Sequence, residues 1–210
     1  TRAGGRVRYM TVAPEVQGVP EMISQLRGSC VLAMGHSDAD YETAIDAIDR
    51  GVAACTHTFN VMSLFHQHRP AVMGAVLESD VYCEAICDGR HLHPGTVRML
   101  LKCKGWDKVV AITDSMQAAG LPDGEYMLGI NPDGDAKISG TDIRAGSTLT
   151  LAQAVKNIRR FTGAEIERVL PLLTANPAKL IGEYHRRGDI AVGKDADLVV
   201  LSPELDILAT

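Results

Sequence analysis

Val31-Leu32-Ala33-Met34-Gly35-His36-Ser37 is a short apolar run that stops on a glycine and a histidine. Residues 40–50 then place Ala44, Ile45, Ala47 and Ile48 on one helical face, and residues 53–55 repeat the short apolar run before Thr56-His57-Thr58. A four-residue apolar run suits a buried strand, and apolar spacing of three and four suits one face of a helix, so the stretch predicts a βαβ unit. The alternation continues outward. Strands are expected at 7–12, 82–86 and 108–112, and helices at 20–26, which opens on Pro20, and at 96–102, after Pro94-Gly95. Five such units predict an α/β fold on a parallel sheet. A closed β/α barrel needs eight strands, and an open doubly wound sheet normally carries a glycine-rich phosphate loop after its first strand; residues 13–19 contain no such loop. The chain also starts without methionine, on the run-in to a strand, so it is expected to be the C-terminal part of a longer polypeptide.

Beyond Asp114 the pattern changes. Gly120-Leu121-Pro122-Asp123-Gly124 and the short alternating runs up to Gly140 predict a β-hairpin excursion. Helices return at 149–161, 164–173 and 177–182, and residues 188–201 read as strand and turn. The expected division is a catalytic unit at 1–185 and a small β appendage at 186–210.

Composition narrows the function classes. The 210 residues are 46% hydrophobic and 22% charged with a formal net charge of −5, which argues against disorder and against a basic nucleic-acid surface. No apolar run approaches the ~18–20 residues of a spanning helix, so a cytoplasmic protein without membrane partners is expected. Five cysteines at irregular spacing, mostly in apolar segments, suit reduced thiols. Cys83 and Cys87 lack a second pair to complete a four-thiolate site and are read as strand packing. Met10, Met22, Met34, Met62, Met73 and Met99 are read as core filler.

The strand ends carry the chemistry. They read Ala13-Pro14-Glu15, Gly35-His36-Ser37, Thr56-His57-Thr58, Asp88-Gly89-Arg90-His91 and Thr113-Asp114-Ser115. In β/α folds the loops after the strands converge on one rim. A carboxylate and two imidazoles at successive ends therefore make a candidate three-ligand site for one divalent metal, Glu15, His36 and His57. Asp114, from a later strand, would accept a proton from the attacking water. Each residue also has a plain structural role open to it: Glu15 at a helix entry, Asp114 as a cap, and either histidine as a packed side chain.

Taken together, these strings resemble the N-acetylglucosamine-6-phosphate deacetylases of the amidohydrolase superfamily. The likeness rests on Ala13-Pro14-Glu15, Gly35-His36-Ser37-Asp38-Ala39, Thr56 through Met62, Asp88-Gly89-Arg90-His91 and Thr113-Asp114, in that order, with Ala145 through Thr150, Asn176-Pro177-Ala178 and Val192 through Val199 after them. It implies a TIM-type β/α barrel, incomplete at its N-terminal side here, with a C-terminal β-sandwich segment. It implies deacetylation of N-acetylglucosamine 6-phosphate in amino-sugar catabolism, with zinc or iron held by Glu15, His36 and His57. Asp114 would pass the water's proton to the departing amine. Asn60 and the backbone of Val61 would lie near the phosphate, and His91 would contact the sugar phosphate. The family often has Arg-Glu-Pro where this chain has His68-Arg69-Pro70, so the phosphate-binding role falls to Arg69 or His68. The loop around His66 and His68 implies a homodimer. Two other readings stand beside this one: another amidohydrolase acting on a cyclic amide, and a truncated fragment that binds metal without turnover.

Overall fold

A computed structural model describes residues 4–117, 119–122, 128–130, 136–138, 140–141 and 143–210. Five parallel strands, β1 (Tyr9–Val12), β2 (Val31–Met34), β3 (Val52–Cys55), β4 (Tyr82–Ile86) and β5 (Val109–Ile112), lie side by side in chain order. Crossovers between parallel strands are right-handed in nearly all proteins. With no reversal of strand order, they put every helix on the same side of the sheet. The helices are α1 (Val19–Leu26), α2 (Tyr41–Arg50), α3 (Ala71–Glu78) and α4 (Pro94–Lys104), and successive helices pack on one another.

Local chemistry sets the helix ends. Asp40 caps α2 by accepting from Thr43 N at 2.8 Å, and Gly51, at φ 132°, closes it with its N–H on Ala47 O and Ile48 O. His93 caps α4 through Nδ1, with Pro94 at the first turn. After β5 the chain makes the antiparallel pair β6 (Leu128–Ile130) and β7 (Ala136–Ile138), which matches the expected excursion; the residues joining the two strands lie outside the described ones. The chain then returns alongside the end of β5, where Met116 N donates to Ser147 O and Ser147 N to Asp114 O.

α5 (Leu151–Thr162) starts two residues later than expected because Thr150 caps it. The helix expected at 164–173 is α6 (Ile166–Val169) followed by a 3₁₀ turn, Leu170–Leu172. Pro171 has no N–H to continue an α ladder there. α7 (Ala175–Leu180) follows, and buried Asn176 donates to Trp106 O and Val109 O, both at 2.7 Å, anchoring the start of β5. Strand was expected within 188–201. Only β8 (Val200–Leu201) forms there, pairing with β9 (Ile207–Ala209), and residues 186–197 are turns tied by Arg186 and Arg187 to Asp195, each at 2.9 Å. α3 was not anticipated at all. Its sequence, AVMGAVLE, is apolar on every side, and five of its eight residues are buried.

The two faces of the sheet differ. Val12, Leu32, Met34, Cys55, Cys83 and Ala111 belong to a core that includes Ile23, Ala44, Val72, Val76, Val97 and Leu100 of the helices. Alternation along each strand turns Tyr9, Thr11, Ala33, Ala54, Glu84 and Val110 the other way. Tyr9 Oη donates to Glu84 Oε1 at 2.6 Å, although three inter-strand spacings separate β1 from β4, roughly 14 Å in a flat sheet. The sheet is therefore curled, with this face concave.

All five cysteines are free, with Cys55, Cys83 and Cys87 buried. Burial pushes the Cys83 thiol up to about 11 and Cys87 up to about 12, so both stay protonated and act as packing groups. Met34, Met62 and Met73 are buried as expected, whereas Met99 is exposed on α4. Among the described residues no helix is long and apolar enough to cross a membrane.

Candidate functional site

The loops after the strands hold unusual backbone. Among the described residues seven that are not glycine have positive φ, and five of them lie here: His36 at 51°, His57 at 29°, Phe59 at 77°, Val61 at 51° and Asp114 at 48°. Left-handed conformations cost an L-residue about 1 kcal/mol or more each and persist where the surroundings over-determine them, commonly at functional sites. Two glycines make the packing possible. A Cβ on Gly35 would sit 2.7 Å from Thr56 Cβ, and one on Gly146 would sit 2.8 Å from Asp114 O.

His36 lies two residues past the end of β2 and His57 two residues past the end of β3. Their Nε2 atoms approach to 2.8 Å with the rings edge to face at 79°. His57 is buried and its Nδ1 has no hydrogen-bond partner among the described residues. The two nitrogens stand at hydrogen-bond distance from each other, and a divalent ion that takes nitrogen donors would replace the proton they share. The third expected ligand is placed differently. Glu15 Oε2 accepts from Ser37 Oγ at 2.7 Å and Oε1 from Asp38 N at 2.8 Å, so its carboxylate braces the loop that carries His36. Among the described residues no group of three or more His, Cys, Asp or Glu side chains gathers closely enough to hold a metal ion. The residues thus fit a metal through two donors, with Glu15 one loop contact away.

Beneath the histidines lies a polar network that sequence reading missed. Glu84 Oε2 accepts from His57 N at 3.2 Å, Glu84 O accepts from Thr58 N at 2.9 Å, and Tyr9 donates to the same carboxylate. Burial, and then the Glu84 charge, push the Tyr9 phenol far above its ordinary value, so it stays a donor. The available signal was a charged residue inside the apolar strand Tyr82–Ile86.

Asp114 lies two residues past the end of β5, its carbonyl held by Ser147 N at 2.7 Å and its carboxylate exposed, without a hydrogen bond among the described residues. Ser147, buried, donates through Oγ to Thr113 O, so the Ala145–Thr150 motif is the scaffold that presents Asp114.

The expected substrate-binding residues fall in three places. Asn60 spends Nδ2 on His57 O and Thr58 O, at 3.1 and 3.3 Å, bracing its own loop, while Val61 is 66% exposed. His68 and Arg69 lie on a tight turn closed by Arg69 N on His66 O at 2.9 Å; with His66 they line a cleft of about 690 Å³ that also holds Asp38, Asp40 and Glu42. His91 Nδ1 meets Asp88 Oδ2 at 2.6 Å. Burial pushes the Asp88 carboxyl up, but the His91 ring and the amides of Arg90 and His91 outweigh it, and its pKa lies below the ordinary value. Asp88 also opens onto a second cleft of about 350 Å³, shared with Thr148, Thr150 and Asn157.

Comparison with known proteins places this geometry. The N-acetylglucosamine-6-phosphate deacetylase of Bacillus subtilis is 37% identical over 99% of this chain and 54% of its own length. The N-acetylgalactosamine-6-phosphate deacetylase of Escherichia coli O157:H7 is 32% identical over 96% of this chain and 54% of its own. A solved structure of N-acetyl-D-glucosamine-6-phosphate deacetylase from Mycobacterium smegmatis, a variant in complex with N-acetyl-D-glucosamine 6-phosphate, superposes with a TM-score of 0.91 at 34% identity, covering 97% of this chain and 55% of that one. This chain spans about half the length of the curated relatives it matches. The model of the amidohydrolase family matches residues 5–210, and with its parallel sheet and histidine-bearing strand ends the chain belongs to the amidohydrolase family.

Proposed function

We propose that this chain carries the ligand-bearing and proton-transferring part of a deacetylase that hydrolyses the acetamide of N-acetylglucosamine 6-phosphate to acetate and glucosamine 6-phosphate. The observation that carries the reading is the meeting of His36 and His57 at the ends of adjacent strands, 2.8 Å apart. The names of the B. subtilis and M. smegmatis relatives support the substrate. His36 and His57 would hold one divalent ion, zinc or iron, with Glu15 as third ligand once its carboxylate turns from Ser37. A bound divalent ion supplies a more acidic water and a polarised amide carbonyl.

The remaining steps fall to protein groups. Asp114, unencumbered at the rim, accepts a proton from water as oxygen attacks the carbonyl carbon, and returns it to the sugar nitrogen as the carbon–nitrogen bond breaks. Arg69 and His68, exposed on their turn, offer donors to a phosphate dianion, and His91, fixed by Asp88, offers Nε2 toward the sugar. Five strands in chain order, helices on one face and a curled sheet support residues 1–185 as the C-terminal part of a β/α barrel, incomplete at its N-terminal side. Residues 186–210 would belong to a β-sandwich. Exposed Leu64 and Phe65 beside the His66–Arg69 turn support a homodimer contact, and the free buried thiols support a cytoplasmic setting.

The test is acetate release by the full chain with and without added zinc or ferrous iron, using the 6-phosphates of N-acetylglucosamine and N-acetylgalactosamine. Metal-dependent acetate from the first is expected. Acetate from the second alone would reassign the sugar, and metal uptake with no acetate from either would leave the non-catalytic fragment.

A further inference from the structure

We propose that Glu84 is a positioning residue for His57, holding the backbone of residues 57 and 58 from below so that the imidazole faces His36. The proposal rests on the reading of His57 as a metal ligand. Ligating histidines nearly always fix their ring by donating from the second nitrogen to a carboxylate or carbonyl. His57 has no such anchor among the described residues, since its buried Nδ1 is unpartnered. Its orientation must come from the main chain instead.

That main chain is gripped twice by one residue. The carboxylate of Glu84 takes the His57 amide at 3.2 Å, and its carbonyl takes the next amide, Thr58 N, at 2.9 Å. The grip sits where it is needed, because His57 has φ 29° and a strained residue relaxes unless its neighbours prevent it. Glu84 is itself fixed by the Tyr9 hydroxyl at 2.6 Å from across the concave face. Thr56 Oγ1 lies 2.9 Å from Thr11 Oγ1, tying the residue before His57 to β1 as well. A carboxylate in the middle of a strand, between buried Cys83 and Ala85, is costly unless its oxygens are satisfied. Here the satisfied oxygens are those that hold the site.

The test compares wild type, Glu84→Ala, Glu84→Gln and Tyr9→Phe by zinc titration of the full chain, and by amide hydrogen exchange of the metal-free protein. Loss of a comparable outer partner weakens metal binding by ~10- to 100-fold, and that loss is expected for Glu84→Ala. Glu84→Gln keeps one acceptor oxygen for the His57 amide while its NH2 donates to the Tyr9 oxygen in place of the bond Tyr9 now gives, and it should bind within about threefold of wild type. Exchange at His57 should accelerate in Glu84→Ala and in Tyr9→Phe while the β4 amide of Ala85 stays protected. Zinc affinity in Glu84→Ala equal to wild type, or a Gln variant as poor as Ala, overturns the proposal. Should Glu84→Ala not fold, Tyr9→Phe decides: faster exchange confined to residues 57–58 supports the role, and unchanged exchange refutes it. If wild type takes up no zinc, the ligand reading fails, and exchange in the metal-free protein still decides whether Glu84 holds His57.

Discussion

Val12, Leu32, Met34, Cys55 and Cys83 face the helices from one side of the sheet and are all buried, whereas Tyr9, Thr11 and Glu84 face the other way: Tyr9 bonds Glu84, and Thr11 and Glu84 bond Thr56 and His57 after β3. The same strands thus carry two jobs on alternate residues. Dehydration of apolar surface holds the helix-covered face, and directional polar contacts that brace His57 occupy the concave face. Substitutions should therefore separate by degree: changes on the covered face cost the most stability, while changes on the concave face and at the rim cost less of it and act on the site.

The largest separation is expected at the rim. Asp114→Asn should leave the unfolding midpoint near wild type while kcat for acetate release falls ~10²- to 10⁴-fold, the usual worth of a general acid or base. A loss of only a fewfold would remove Asp114 from proton transfer. On the covered face, Leu32→Ala should cost ~2–5 kcal/mol of stability in urea unfolding, as for other large-to-small core changes, with zinc affinity preserved in the folded fraction.

Asp88 sharpens the contrast through pH. Its folded-state pKa lies below the ordinary carboxylate value, so the stability it contributes is fully present above ~3.9 and is lost as the pH falls through the folded value. Asp88→Asn should cost ~1–3 kcal/mol at neutral pH, the range for a hydrogen bond to a charged group and its buried partners. The gap from wild type should close under more acidic conditions; a gap independent of pH would contradict the assignment. The smallest effect is expected for Thr11→Val, which removes one exposed hydroxyl contact on the concave face and should change stability by less than ~1 kcal/mol.

The sequence exposed the strands and their polar ends because each apolar run stops at a residue that packing alone would not choose, His36, His57 or Asp114. α2 was legible from the one-face spacing of Ala44, Ile45, Ala47 and Ile48, with Asp40 counted inside the helix that it caps. α3 escaped because a helix buried on every side has no period to detect, and Gly74 further blurs it. Tyr9 and Glu84 escaped as a pair because 75 residues separate them and only the curl of the sheet brings them together. Glu15 was legible as a strand-end carboxylate, but its bonds to Ser37 and Asp38 depend on the left-handed turn at His36, which no neighbouring residue announces.

Zinc titration of wild type against the double variant His36→Ala and His57→Ala tests most directly whether these two side chains form the heart of a metal centre. One ion per chain in wild type, lost in a double variant that still folds, is the predicted result. Equal uptake by both proteins would place the ion elsewhere and contradict the account.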